Sequence, residues 1–98
     1  MRINVTGKHV DLTPAMVQFA ESKCEKITKF FDGIQQISCV LDKAPHGEFL
    51  VEIIVDVVHH EDFITKVQGP DVYAAIDDAV DKASRQLRDF KEKLRDRR

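Results

Sequence analysis

Between Val72 and Leu94 the apolar residues Val72, Ile76, Ala79, Ala83, Leu87, Phe90 and Leu94 recur at three- and four-residue spacing. Over roughly six turns this spacing draws a single stripe, so one long amphipathic helix is predicted, and its apolar face must be covered by something broad. Asp71 stands where an N-cap carboxylate accepts from the free amides of the first turn. About 24 helical residues extend for roughly 36 Å, so the helix is expected to outreach the sheet it covers and to leave its far end exposed.

The rest of the chain supplies that sheet. Phe49, Val51, Ile53, Val55 and Val57 alternate with Glu48, Leu50, Glu52, Ile54 and Asp56, the pattern of a long strand with one strongly buried face and one mixed face. Ile34 to Asp42 reads as its partner, with Ile37, Cys39 and Leu41 on one side, and Lys43-Ala-Pro-His-Gly47 as the reversing loop. After the polar break His59-His60-Glu61, alternation resumes at Phe63, Thr65 and Val67 until Gly69-Pro70. At the N-terminus Ile3 and Val5 mark a short strand from Arg2 to Thr6, which Gly7 is expected to end. Thr13-Pro14 then opens a first helix running to about Phe31, with Val17, Ala20, Cys24, Ile27 and Phe31 as its stripe and Asp32-Gly33 as its stop.

The predicted architecture is therefore α+β, in the order β-α-β-β-β-α. Right-handed crossover makes the first two strands parallel, the others pair antiparallel, and both helices lie on one face of a four-stranded mixed sheet. Residues 1–98 fit a single domain with one core. With 43% apolar and 33% charged residues the chain is neither disordered nor membranous, and no window nears the roughly 18 apolar residues of a membrane span. Cys24 and Cys39 fall at apolar positions and read as buried thiols in a reducing cytoplasm rather than as a disulfide.

Charge is distributed unevenly. From Lys82 to Arg98 there are eight basic residues against three acidic ones, although the whole chain carries a formal net charge of −2. A basic helix end complements the helix dipole, and the same asymmetry is a hint of an electrostatic contact with nucleic acid or another acidic surface. Lys23 and Lys26 on the first helix, with Lys82, Arg85, Arg88, Lys91, Lys93 and Arg95 on the second, are expected to line a groove shared by two adjacent helices and to engage phosphates there. Phe19, Phe30 and Tyr73 lie near this surface and are expected to be packing residues. Without an aromatic set exposed on the sheet, recognition by base stacking is not indicated.

No enzyme chemistry is indicated. There is no Gly-rich phosphate loop, nucleophile elbow or helical His-Glu metal motif. In a strand the adjacent His59 and His60 would point to opposite faces, and with His46 they read as solvated turn residues; neither a metal nor a cofactor is expected. Asp77, Asp78 and Asp81 occupy the early turns of the long helix, where its dipole favours negative charge.

The element order, Ile3-Asn4-Val5-Thr6-Gly7, the run Lys23 to Phe31-Asp32, and Asp71-Val-Tyr-Ala-Ala-Ile-Asp77 followed by Asp81-Lys82, Arg85-Gln86-Leu87, Lys91 and Lys93 resemble the ribosome hibernation promoting factor family. The resemblance spans nearly the whole chain. It implies a fold similar to double-stranded RNA-binding domains and a stationary-phase or stress role in the cytoplasm. It also implies binding to the small ribosomal subunit and its rRNA between head and body, in the channel of messenger and transfer RNA, with reversible inhibition of translation. The end of the chain at Arg98 resembles the short form, a monomer off the ribosome that promotes inactive ribosome dimers together with a separate modulation factor. The alternatives are a translation inhibitor of the same superfamily that opposes dimers, and a free double-stranded RNA-binding module. Asp89 departs from the pattern, standing where basic residues are common among relatives.

Overall fold

The computed structural model describes residues 1–29 and 31–96. Its elements are β1 (Arg2–Lys8), α1 (Pro14–Glu25), a 3-10 turn (Lys26–Lys29), β2 (Ile34–Lys43), a short turn (Pro45–Gly47), β3 (Phe49–Val57), β4 (Phe63–Gly69) and α2 (Val72–Asp96). The strands lie in the order β1-β2-β3-β4. β1 runs parallel to β2, with Ile3 beside Ile37 and Val5 beside Cys39; β2–β3 and β3–β4 are antiparallel. Both helices pack on the same face, α1 against β1 and β2, α2 against β3 and β4, and they touch each other. The predicted topology, including the parallel pair, is the observed one.

Alternation in the strands decides which residues meet the helices. Ile37, Cys39 and Leu41 from β2 and Val51, Ile53 and Val55 from β3 are fully buried beneath Ile27, Ile76 and Leu87. Each large aliphatic side chain so buried stabilises the fold by about 1.5–3 kcal/mol. The opposite face of the sheet is mixed, from Asn4 and Ser38 to Ile54 and Ile64, the last exposed.

Caps set the helix starts. The Thr13 hydroxyl accepts from the Met16 amide at 3.1 Å, with Pro14 inside the first turn. The Asp71 carboxylate accepts from the amides of Tyr73 at 2.9 Å and Ala74 at 3.4 Å.

Three boundaries depart from expectation. β1 does not stop at Gly7 but continues to Lys8, with Gly7 paired to Leu41. Gly7 is there because the chain folds back over it: a Cβ would lie 2.6 Å from the Val10 carbonyl oxygen and 3.0 Å from Leu12 Cγ. α1 ends at Glu25, short of Phe31, and tightens into 3-10 geometry, where the Thr28 hydroxyl donates to the Glu25 carbonyl at 2.7 Å. Its inward stripe is Met16, Ala20, Cys24 and Ile27, leaving Val17 only half-buried. At the other end of the chain, Leu94 is 45% exposed, so the packed stripe of α2 closes at Phe90. Residues 91–95 of α2 are all exposed.

Candidate nucleic-acid interface

α2 carries most of the site, and helical geometry sorts its cations. Arg85 sits on the outer crest. On the α1 side, Lys26, Arg85 and Arg88 line one groove together with Ser84 and Asp81. Lys91 and Arg95, three and seven residues beyond Arg88, continue that flank and are exposed. On the β4 side, Lys82 and Arg85 line a second groove with Lys66, and Lys93 lies farther along the same flank. The single groove expected between the helices is therefore divided: Lys82 and Lys93 are turned away from Lys26, and Arg85 belongs to both sides.

Lys23 and Lys82 already have partners. Lys23 Nζ lies 3.0 Å from Asp77 Oδ1 and 5.4 Å from the centre of the Phe19 ring. The Asp77 carboxylate raises the Lys23 pKa above its ordinary value, so the ammonium is held charged but locally neutralised. Lys82 Nζ stands 3.9 Å from Asp78 Oδ2, both about half exposed, a weak one-turn pair that a phosphate can displace.

Phe19 and Tyr73 pack edge to face at 5.1 Å, bracing α1 against α2 as expected; Phe30 lies outside the described residues. His46, His59 and His60 lie exposed in turns, as expected. His9, His46 and His59 each take a positive φ at a chain reversal, and His9 Nδ1 meets Asp42 Oδ1 at 3.1 Å. His60 stacks on Phe63 with 4.6 Å between centroids and 5° between planes, and meets Phe90 at 4.6 Å.

Lys66 and the rings of His60 and Phe63 were not singled out by sequence reading. Alternation along β4 places Lys66 on the mixed face, but nothing in the sequence brings it to the same groove as Lys82. The stacking of His60 depends on the tight turn after β3, where the His60 amide donates to the Val57 carbonyl at 3.2 Å.

The buried thiols take no part in this surface. Cys24 and Cys39 are both fully buried and free, and the Cys39 thiol is pushed far above its ordinary pKa by its hydrogen bond with Cys24 and by burial.

Residues 3–95 match the family model described as Sigma 54 modulation protein / S30EA ribosomal protein. A ribosome hibernation promoting factor of Klebsiella oxytoca is 39% identical over 97% of this chain and 98% of its own length, and that of Escherichia coli K12 is 35% identical over the same shares. Among solved structures, a ribosomal subunit interface protein from Coxiella burnetii superposes with a TM-score of 0.85 at 25% identity, covering 94% of this chain and 99% of that one. The N-terminal domain of Thermus thermophilus Protein Y gives a TM-score of 0.80 at 30% identity, covering 92% and 99%. Sequence match over nearly the full length and an α+β fold shared with ribosome-interface proteins lead to one assignment: the chain belongs to the Sigma 54 modulation protein / S30EA ribosomal protein family.

Proposed function

We propose that this protein is a ribosome hibernation factor that docks α2 on small-subunit rRNA, occupies the channel of messenger and transfer RNA, and so reversibly blocks translation in stationary phase or stress. The observation that carries the reading is the placement of Arg85 on the crest of α2, with Lys26 and Arg88 in the groove on one side and Lys66 and Lys82 in the groove on the other. Arginine presents a fork that matches phosphate oxygens, and flanking lysines add charge without demanding geometry. The relatives' shared name supports the hibernation role.

Inhibition by occlusion needs no bond made or broken. It requires only that the protein and the translation substrates compete for one space, so its strength follows affinity and concentration. No helix among the described residues is long and apolar enough to cross a membrane, and the reading places the protein in the cytoplasm with its ribosomes, a monomer when free. Pairing of ribosomes is assigned to a separate modulation factor acting on particles that each hold one copy.

Cosedimentation with purified small subunits tests the core of the proposal. Wild-type protein should pellet with subunits in modest salt, and the double variant Lys82→Glu, Arg85→Glu should stay in the supernatant with an unchanged far-ultraviolet spectrum, because both side chains are exposed. Absence of wild-type binding would sink the ribosomal assignment. Sucrose gradients with this protein, the modulation factor and both together test the pairing role: efficient dimers with this protein alone would contradict the two-factor scheme, and suppression of dimers would mark the opposing activity.

A further inference from the structure

Between the start of β4 and the last turns of α2 lies a cleft of about 640 Å³, inside the roughly 300–1,000 Å³ range of small-ligand sites. One wall is aromatic: His60, Phe63 and Phe90 lie within 4.6–5.2 Å of one another, centroid to centroid. The other wall is the outer flank of α2, where Gln86, Asp89 and Lys93 face in, and a second carboxylate, Asp62, lines the cleft beside the aromatic wall. Gln86 and Asp89 are three residues apart, so their side chains stand side by side. The buried Thr65 hydroxyl donates to Gln86 Oε1 at 3.4 Å, which leaves the amide N–H groups of Gln86 for a ligand. Asp89 has no ion-pair partner among the described residues, and the neighbouring groove carries Lys66, Lys82 and Arg85.

We infer that this cleft receives one unstacked guanine of the bound RNA, an inference that rests on the rRNA-binding reading and deepens it. The ligand must be flat to use the rings, neutral with N–H donors to meet a carboxylate beside apolar walls, and attached to anions that fall among the adjacent cations. An acidic peptide fails the second condition at Asp89, and a nucleotide within a strand meets all three. Among the bases, guanine alone presents two adjacent donors, N1–H and N2–H, next to an acceptor, O6. Asp89 takes the donors, Gln86 serves O6, and the His60–Phe63 stack offers the π surface. Uracil has one donor flanked by two carbonyls, which the Asp89 carboxylate repels.

Footprinting of small subunits with kethoxal, which adds across guanine N1 and N2, reads the contact directly. Wild-type protein should protect at least one unpaired guanine. His60→Ala and Asp89→Asn, both at exposed positions, should restore its reactivity to that of free subunits and weaken binding roughly five-fold or more, about the loss of one stacked or bidentate base. Protections away from that guanine should persist in both variants. Guanine protections and affinity unchanged in both variants would overturn the pocket while leaving the ribosomal reading intact. Wild-type protein that fails to bind subunits at all would instead remove the reading on which the pocket rests.

Discussion

Gly7 and Asp42 show how single residues set limits on this fold. A Cβ at residue 7 meets backbone first, because the Val10 carbonyl oxygen would be only 2.6 Å away, and the Leu12 side chain next, at 3.0 Å. Gly7→Ala should therefore cost about 1–3 kcal/mol, read as a lower urea midpoint with an unchanged slope. Asp42 is governed by charge. Its carboxyl is held below the ordinary value first by the hydrogen bond with His9 and then by the Lys43 amide, which donates to it at 2.8 Å. A depressed carboxyl stabilises the fold above its unfolded value of about 3.9, and that contribution disappears as pH falls through the lower folded value. His9→Ala removes the largest cause, so the difference in stability between wild type and variant should be present near pH 5 and shrink toward about pH 2. A difference that grew on acidification would contradict the assignment. The buried thiols give a third expectation: a maleimide should leave Cys24 and Cys39 unmodified in buffer and label both in denaturant, since each is fully buried.

At the scale of elements, α2 joins core to interface, and its two ends should respond differently to truncation. Leu87 is fully buried against the sheet, so Leu87→Ala should cost about 2–5 kcal/mol; Leu94 is 45% exposed, so Leu94→Ala should change stability by less than about 0.5 kcal/mol. Equal losses by denaturant unfolding would mean that the last turns pack more closely than their exposure indicates. The contrast also explains what the sequence made legible. Periodicity identified α2 and the buried faces of β2, β3 and β4, because burial on one face repeats at 3.6 or 2 residues; capping chemistry identified Asp71, and the right-handed crossover the parallel first pair. It overran at Leu94, since a stripe records which side of a helix is apolar and not where the sheet beneath it ends. It stopped β1 at Gly7, because a glycine required by close approach looks the same as a glycine that ends a strand. For the candidate site, charge spacing points to the cations of α1 and α2, and their division into two flanks follows only from how α2 lies across the sheet. Lys66 and the His60–Phe63 stack were illegible for the same reason, since they reach α2 through tertiary contacts that no local spacing encodes.

For the whole molecule, the proposed binding to rRNA must be reconciled with a formal net charge of −2. It is elongated, 48 × 24 × 18 Å, and at physiological salt charges are screened beyond about 8 Å. The basic turns of α2 therefore act as a local surface, while the acidic remainder opposes loose binding to any polyanion. Affinity should come from several simultaneous phosphate contacts in a shaped site. The salt dependence of small-subunit binding should then fall by a slope of about 0.7–0.9 for each phosphate contact removed. Lys26→Ala and Lys82→Ala should each show that loss, one on either flank of α2. Lys23→Ala should leave the slope nearly unchanged, because its charge is already matched by Asp77 at 3.0 Å. An isolated RNA duplex supplies phosphates without the surrounding subunit, so binding to it should be much weaker and vanish at lower salt. Comparable affinity for duplex and subunit across a salt titration would instead identify a module that reads the shape of double-stranded RNA, for which the ribosome is only one source of helix.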